Sequence, residues 1–262
     1  MVRLLVYILL LLSFNSNAQV GDTLCNLRNI AFHSGEYMKY KVGYALSLMW
    51  IKAGQVEFSV KDVELRGRQA YHVVGEGGTY SFYEWLFRVD DKYETYIDKE
   101  TLLPLRFVRK IEEGNFKYFN QVDFDHENNS CTSLKGTYKV PDCIQDILSA
   151  VYVCRNLDFT NVNINDTVPF NIFLDNQVYP IYVRYLGKET IRTKLGKFRC
   201  VKFSPLLIEG TVFEAGEAMK VWVTDDKNKL PLRVESPILF GAVKVELDEY
   251  SNLRNKVEAK LK

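Results

Sequence analysis

The chain has 262 residues, of which 47% are hydrophobic, 13% aromatic and 26% charged, a composition that suits a packed globular protein and excludes a disordered one. Lys and Arg number 34 against 33 Asp and Glu, so no general electrostatic pull draws the chain to nucleic acid or anionic lipid. Five cysteines without CxxC spacing argue against a structural zinc site.

Residues 1–18 read as a secretory leader: Arg3 supplies the positive end, Leu4 to Leu12 an apolar run, and Ser16 and Ala18 the small residues before a cut. The expected mature chain starts at Gln19 and forms a single domain over 19–262. The apolar run is far below the ~20 residues that span a bilayer, and no later stretch approaches that length. The first cysteine, Cys25, stands several residues past the cut, so lipidation is not expected. The product reads as a soluble periplasmic or secreted protein. In an oxidising compartment some cysteines pair, and an odd count leaves at least one thiol over; the connectivity stays open.

Between Glu36 and Val60, Met38, Tyr40, Val42 and Tyr44 alternate with more polar neighbours, which predicts strands. Arg66-Gly67-Arg68 is a tight turn leading into the β-prone run Ala70 to Val74, hence a hairpin. Ser81 and Glu84 have capping-box spacing and predict a short helical turn over Phe82 to Arg88, before a strand from Lys92 to Ile97. After Pro141-Asp142 the period changes. Ile144, Ile147, Leu148 and Val151 fall at i, i+3, i+4 and i+7, which predicts a helix over about 142–157 with that face packed into the concave side of a sheet. Strands then resume over Val178 to Tyr185, Ile191 to Phe203 and Ala218 to Val223.

The second half echoes the first. Asp98 to Leu103 followed by Pro104-Leu105-Arg106 matches Asp225 to Leu230 followed by Pro231-Leu232-Arg233, each a strand end, a polar turn and a proline-opened strand. The expected fold is therefore mainly β: an antiparallel curved sheet or half-barrel made of two related β-meanders (36–110 and 170–250) around one central amphipathic helix.

No phosphate loop, dinucleotide fingerprint or nucleophile elbow is present, and no catalytic residue, metal site or cofactor is expected. His33, His72 and His126 are too scattered for a local metal motif. Asp90-Asp91, Glu112-Glu113 and Asp225-Asp226 fall at turns and strand ends, where solvated faces and capping account for them. Two features admit a ligand-binding reading. The aromatic cluster Tyr80, Phe82, Tyr83, Trp85 and Phe87 is either core or the lining of a pocket. Arg155, a charge on the helix's apolar face, either snorkels to the C-terminal carbonyls or serves as counter-ion to an acidic ligand head or a buried carboxylate.

Gly35 to Val42, the Ala53-Gly54 step, Asp146 to Tyr152 ending in Arg155, and Val221-Trp222-Val223 followed by Asp226 and Pro231-Leu232-Arg233 together resemble the bacterial family called domain of unknown function 3108. The resemblance covers most of the mature chain, implies an exported protein and carries over no catalytic residues. More loosely, the strand pattern is similar to the half-barrel lipoprotein carriers, whose curved sheet covers an apolar cavity with a helix as lid. The functional expectation is an exported, non-enzymatic binding or carrier protein with an apolar or lipid-like ligand at Tyr80, Phe82, Tyr83, Trp85 and Arg155. The alternative is a structural or interaction protein of the envelope with a filled core.

Overall fold

The computed structural model describes residues 24–46, 49–83, 85, 88–206, 218–238 and 241–262. The expected leader, its cut before Gln19, and Glu84 and Phe87 lie outside them. Among the described residues the chain forms β1 (Tyr37–Leu46), β2 (Met49–Leu65), β3 (Arg68–Thr79), β4 (Asp90–Asp98), β5 (Pro104–Glu113), β6 (Phe116–Asp125), β7 (Ser130–Ser133), β8 (Gly136–Lys139), helix α1 (Ile147–Cys154), β9 (Thr167–Leu174), β10 (Gln177–Thr193), β11 (Gly196–Pro205), β12 (Lys220–Thr224), β13 (Pro231–Ile238), β14 (Gly241–Ser251) and the short β15 (Lys260–Leu261).

All fifteen strands belong to one antiparallel sheet, ordered β8-β7-β6-β5-β4-β3-β2-β1-β14-β13-β12-β11-β10-β9, with β15 beside β11. Successive strands pair from β1 to β8 and from β9 to β14; the chain crosses from one sheet edge to the other through α1, and β15 returns to β11. The sheet curls until its edges approach. Gln145 bridges β9 through Gln145 N–H to Asn171 O (3.0 Å) and Phe173 N–H to Gln145 O (2.8 Å). The Phe173 ring lies 5.5 Å from Tyr138 and 6.4 Å from Phe124, and Ser133 Oγ donates to Asn176 Oδ1 at 2.5 Å.

The two meanders are β1–β6 and β9–β14, and their equivalence extends to single residues. Tyr96 opposes Arg106 as Trp222 opposes Arg233, and in both ladders a bulge follows before the proline. Asp98 N–H bonds Leu103 O at 2.9 Å, and Thr224 N–H bonds Leu230 O at 3.0 Å. Leu102 and Lys229 both take positive φ (59° and 41°) to turn the chain into the proline. Arg106 pairs with Asp123 on β6, and Arg233 with Glu246 on β14, at the same register position.

One end of the curled sheet is sealed. Residues 24–36, the segment around α1, the turns before β5 and β13 and the tail after β14 converge there. Ile30 N–H donates to Asn156 Oδ1 (2.7 Å), Arg254 Nη1 to Phe32 O (3.2 Å), Asn255 Nδ2 to Ile30 O (2.9 Å) and Asn228 Nδ2 to Asn255 O (3.0 Å). The fully buried side chains Phe32, Ile97, Leu102, Phe107, Tyr152, Leu230, Leu232 and Leu247 form the core. A Cys25–Cys143 disulfide joins the N-terminal segment to the approach of the helix, with Cα atoms 5.5 Å apart and a sequence separation of 118. On the chain-entropy argument, closing so long a loop is worth ~5 kcal/mol.

The helix departs from expectation in extent and face. Asp146 is its N-cap, accepting from the backbone N–H of Leu148 and Ser149 at 2.8 Å each, while Ser149 Oγ accepts from Asp146 N–H at 2.9 Å. This capping box starts the helix at Ile147, because the residues before it are drawn into the bridge to β9. Leu148, Ser149, Ala150, Tyr152 and Val153 turn inward, and Ile144 is buried ahead of the helix. Ile147 and Val151, expected on the packed face, are 39% and 47% exposed.

Candidate functional site

The residues expected to bind a ligand fall at opposite ends of the molecule. Tyr80 to Trp85 follow the last residue of β3 at the end away from the sealed core, with a 3-10 turn over Ser81–Tyr83. They are not core: Phe82 and Trp85 are 75% and 80% exposed, and Tyr80 and Tyr83 half-buried. The Phe82 and Tyr83 rings meet edge to face at 5.1 Å. Tyr80 borders a concavity of about 550 Å³ on the convex side of the sheet, lined also by Glu57, Glu76, Asp90, Lys92 and Lys110. Ion pairs such as Lys92–Glu76 (3.1 Å) and Lys39–Glu57 (2.8 Å) make it a solvated charge ladder.

Arg155 lies at the sealed end and does not snorkel. Its guanidinium is buried and forms a two-pronged pair with the equally buried Glu36, Nη1 to Oε1 at 2.6 Å and Nη2 to Oε2 at 2.9 Å, while Nε donates to Asn228 O at 3.1 Å. The Phe32 and Tyr152 rings flank it. Such a fork is geometrically specific, and it ties α1 to the entry of the first meander and to the β12–β13 turn of the second.

The concave face holds two rows that the strand register defines. Val42, Val245, Val234, Val221, Phe203 and Tyr185 oppose one another directly across β1, β14, β13, β12, β11 and β10. They share the inward face of the buried Tyr40 and Leu247. Lower on this wall Leu232, Val223 and Val201 are packed away, whereas five of the six in the row, all but Tyr185, are only half-buried. The second row, Tyr93, Arg109 and Asn120 on β4, β5 and β6, faces inward one step above Phe107. Arg109 is 9% exposed; its Nη2 pairs with Asp175 of the β9–β10 turn and its guanidinium lies 4.7 Å from the Tyr118 ring. Tyr118 Oη also donates to Asp175, at 3.3 Å. Neither Arg109 nor Asn120 stands out by motif. The available signal was a charge on the inward parity of Leu105, Phe107, Arg109 and Ile111.

The remaining candidates have structural partners. His33 bonds Asn252 O, His126 bonds Pro104 O, and His72 meets Glu94 while stacking on Tyr96, each polar contact at 2.7 Å. Burial pushes the thiols of Cys131, Cys154 and Cys200 up to about 12, out of the reactive range. Burial, with Glu113 close by, also raises the Asp91 carboxyl. Among the described residues no group of three or more His, Cys, Asp or Glu could hold a metal ion, and no helix is long and apolar enough to cross a membrane.

No curated protein matches the chain. A β-barrel-like protein of domain of unknown function DUF1849 from Brucella abortus shares the fold, with a TM-score of 0.57 at 9% identity over 86% of this chain and 98% of that one. A protein from Bacteroides fragilis described as exported, with a YmcC-like fold, aligns over 86% of this chain and 100% of its own at 12% identity, with a TM-score of 0.35. The family model "Protein of unknown function (DUF3108)" matches residues 39–248, and the chain belongs to that family.

Proposed function

We propose that this chain is an exported, non-enzymatic binding or carrier protein that holds an apolar, lipid-like ligand on the concave face of its sheet. The observation that carries this reading is the half-buried apolar row from Val42 to Tyr185. A filled core would bury such a row as completely as Leu232 and Leu247 are buried below it. A cup with a packed floor and an accessible apolar wall is the form a small-molecule site commonly takes. Export accords with the leader-like residues 1–18 and with the Cys25–Cys143 disulfide, since such bonds persist in oxidising compartments.

Native mass spectrometry of protein purified without detergent from its own cell envelope tests the proposal. The expected result is a retained adduct of lipid mass that Val234→Asp abolishes while the thermal transition survives. Protein that carries no adduct and takes up no long-chain alcohol belongs to the alternative class, a structural or interaction protein with a filled core.

A further inference from the structure

Resting on that reading and deepening it, we propose that Tyr93, Arg109 and Asn120 form a head-group subsite for the anionic end, carboxylate or phosphate, of a single-chain amphiphile whose tail lies along the apolar row. The cation is built into the interior. Arg109 shares a face with the core residue Phe107, and cross-strand pairing sets Tyr93 and buried Asn120 on either side of it. A guanidinium withdrawn from water requires anionic or strongly polar partners, and its planar fork presents five donors. The carboxylate that pairs with it comes from a half-exposed turn residue, Asp175, and engages Nη2, while Nε is buried and makes no hydrogen bond. The donor set thus suits a second oxyanion better than the protein itself supplies.

Two comparisons within the molecule separate this arginine from structural ones. Arg155 has a buried carboxylate gripped by two nitrogens and a carbonyl on its Nε, as a permanent ion pair does. Counting from the matching Pro-Leu-Arg motifs, the places of Arg109 and Asn120 are taken in the second meander by Ser236 and Val243, which pair in the same register. The fold therefore builds this ladder without a charge. Asp175 and Asn176 form the two-residue turn with φ of 49° and 68°, so Asp175 can leave the guanidinium for solvent when a ligand anion takes its place.

The experiment measures, by calorimetry at pH 7.5 on the disulfide-intact chain, the affinities of dodecanol, dodecanoate and dodecyl phosphate for the wild type, Arg109→Gln and Asp175→Asn. The wild type should hold at least one of the two anions about tenfold or more tighter than dodecanol, the effect of one charge-assisted hydrogen bond, and the tighter anion identifies the head group. Arg109→Gln should erase that preference and leave dodecanol binding within about twofold, whereas Asp175→Asn, which removes the competing carboxylate, should tighten the anion. Equal affinity for alcohol and anions in the wild type, or an equal loss of both in Arg109→Gln, overturns the subsite but not the apolar site. Binding of no probe overturns both. Should Arg109→Gln fail to fold, Asp175→Asn decides: tighter anion binding supports the subsite, and unchanged or weaker binding overturns it.

Discussion

The two meanders are the same device put to different uses. At the sealed end they match feature for feature, the second turn being one residue longer: bulge, positive-φ turn, proline-opened strand, buried leucine and cross-strand arginine pair. Farther along the same strands they diverge, the first meander presenting Tyr93, Arg109 and Asn120 to the interior where the second presents Ser236 and Val243 amid valines. Where the halves must pack on each other and on the helix, geometry holds them alike. Farther from the helix that constraint relaxes, and side-chain chemistry differs at matching, equally buried places.

Removing what fastens the halves together should cost most. Glu36→Ala leaves Arg155 buried without its carboxylate and should destabilise the fold by ~3–5 kcal/mol in urea unfolding. A loss below about 1 kcal/mol would mean that Arg155 finds water or another partner, and the sealed end would not be the clamp described here.

Leu105 and Leu232 occupy the matching place in each meander and both are buried. Each truncation to Ala should cost ~2–5 kcal/mol, and the two losses should agree within about 1 kcal/mol. A wide disparity would show that the residue-level equivalence does not extend to packing.

Between the halves, Asp146 accepts from Thr95 Oγ1 at 2.6 Å and is fully buried. Burial raises its carboxyl to about 6 in the folded chain, against the hydrogen bonds from Thr95, Ser149 and Leu148 that pull the other way, while an unfolded aspartate titrates near 4. The folded state therefore holds the extra proton between those values, and stability should fall as pH rises from about 4 to 6 and then level, by up to ~3 kcal/mol. Asp146→Asn, which keeps a capping residue, should flatten that slope in denaturation curves taken across the window; an unaltered slope assigns it to other groups.

The smallest effect is expected where the halves differ. Arg109→Ser converts the first meander to the second's residue, and because Asp175 is half-exposed the loss should be only ~1 kcal/mol in the same assay. A loss as large as that of Glu36→Ala would make Arg109 a structural clamp.

Much of the architecture was legible in the chain. Period-2 alternation marked the strands because a half-buried sheet alternates its faces, and the two Leu-Pro-Leu-Arg motifs marked the meanders because a proline that opens a strand forfeits no central ladder bond. The helix was legible as an element but not in its start or face. Apolar spacing names the residues able to pack, while the Asp146 capping box and the bridge of Gln145 to β9 decide which of them do. Ile147 and Val151 have the right spacing and still face solvent. Tertiary structure alone decided that Arg155 meets Glu36, 119 residues away, that Cys25 pairs with Cys143, and that Arg109 stands inside the cup beneath a turn 66 residues distant. Local sequence sets which way a side chain points along its own strand; the closure of the sheet, a sum of many twists and registers, sets what it meets.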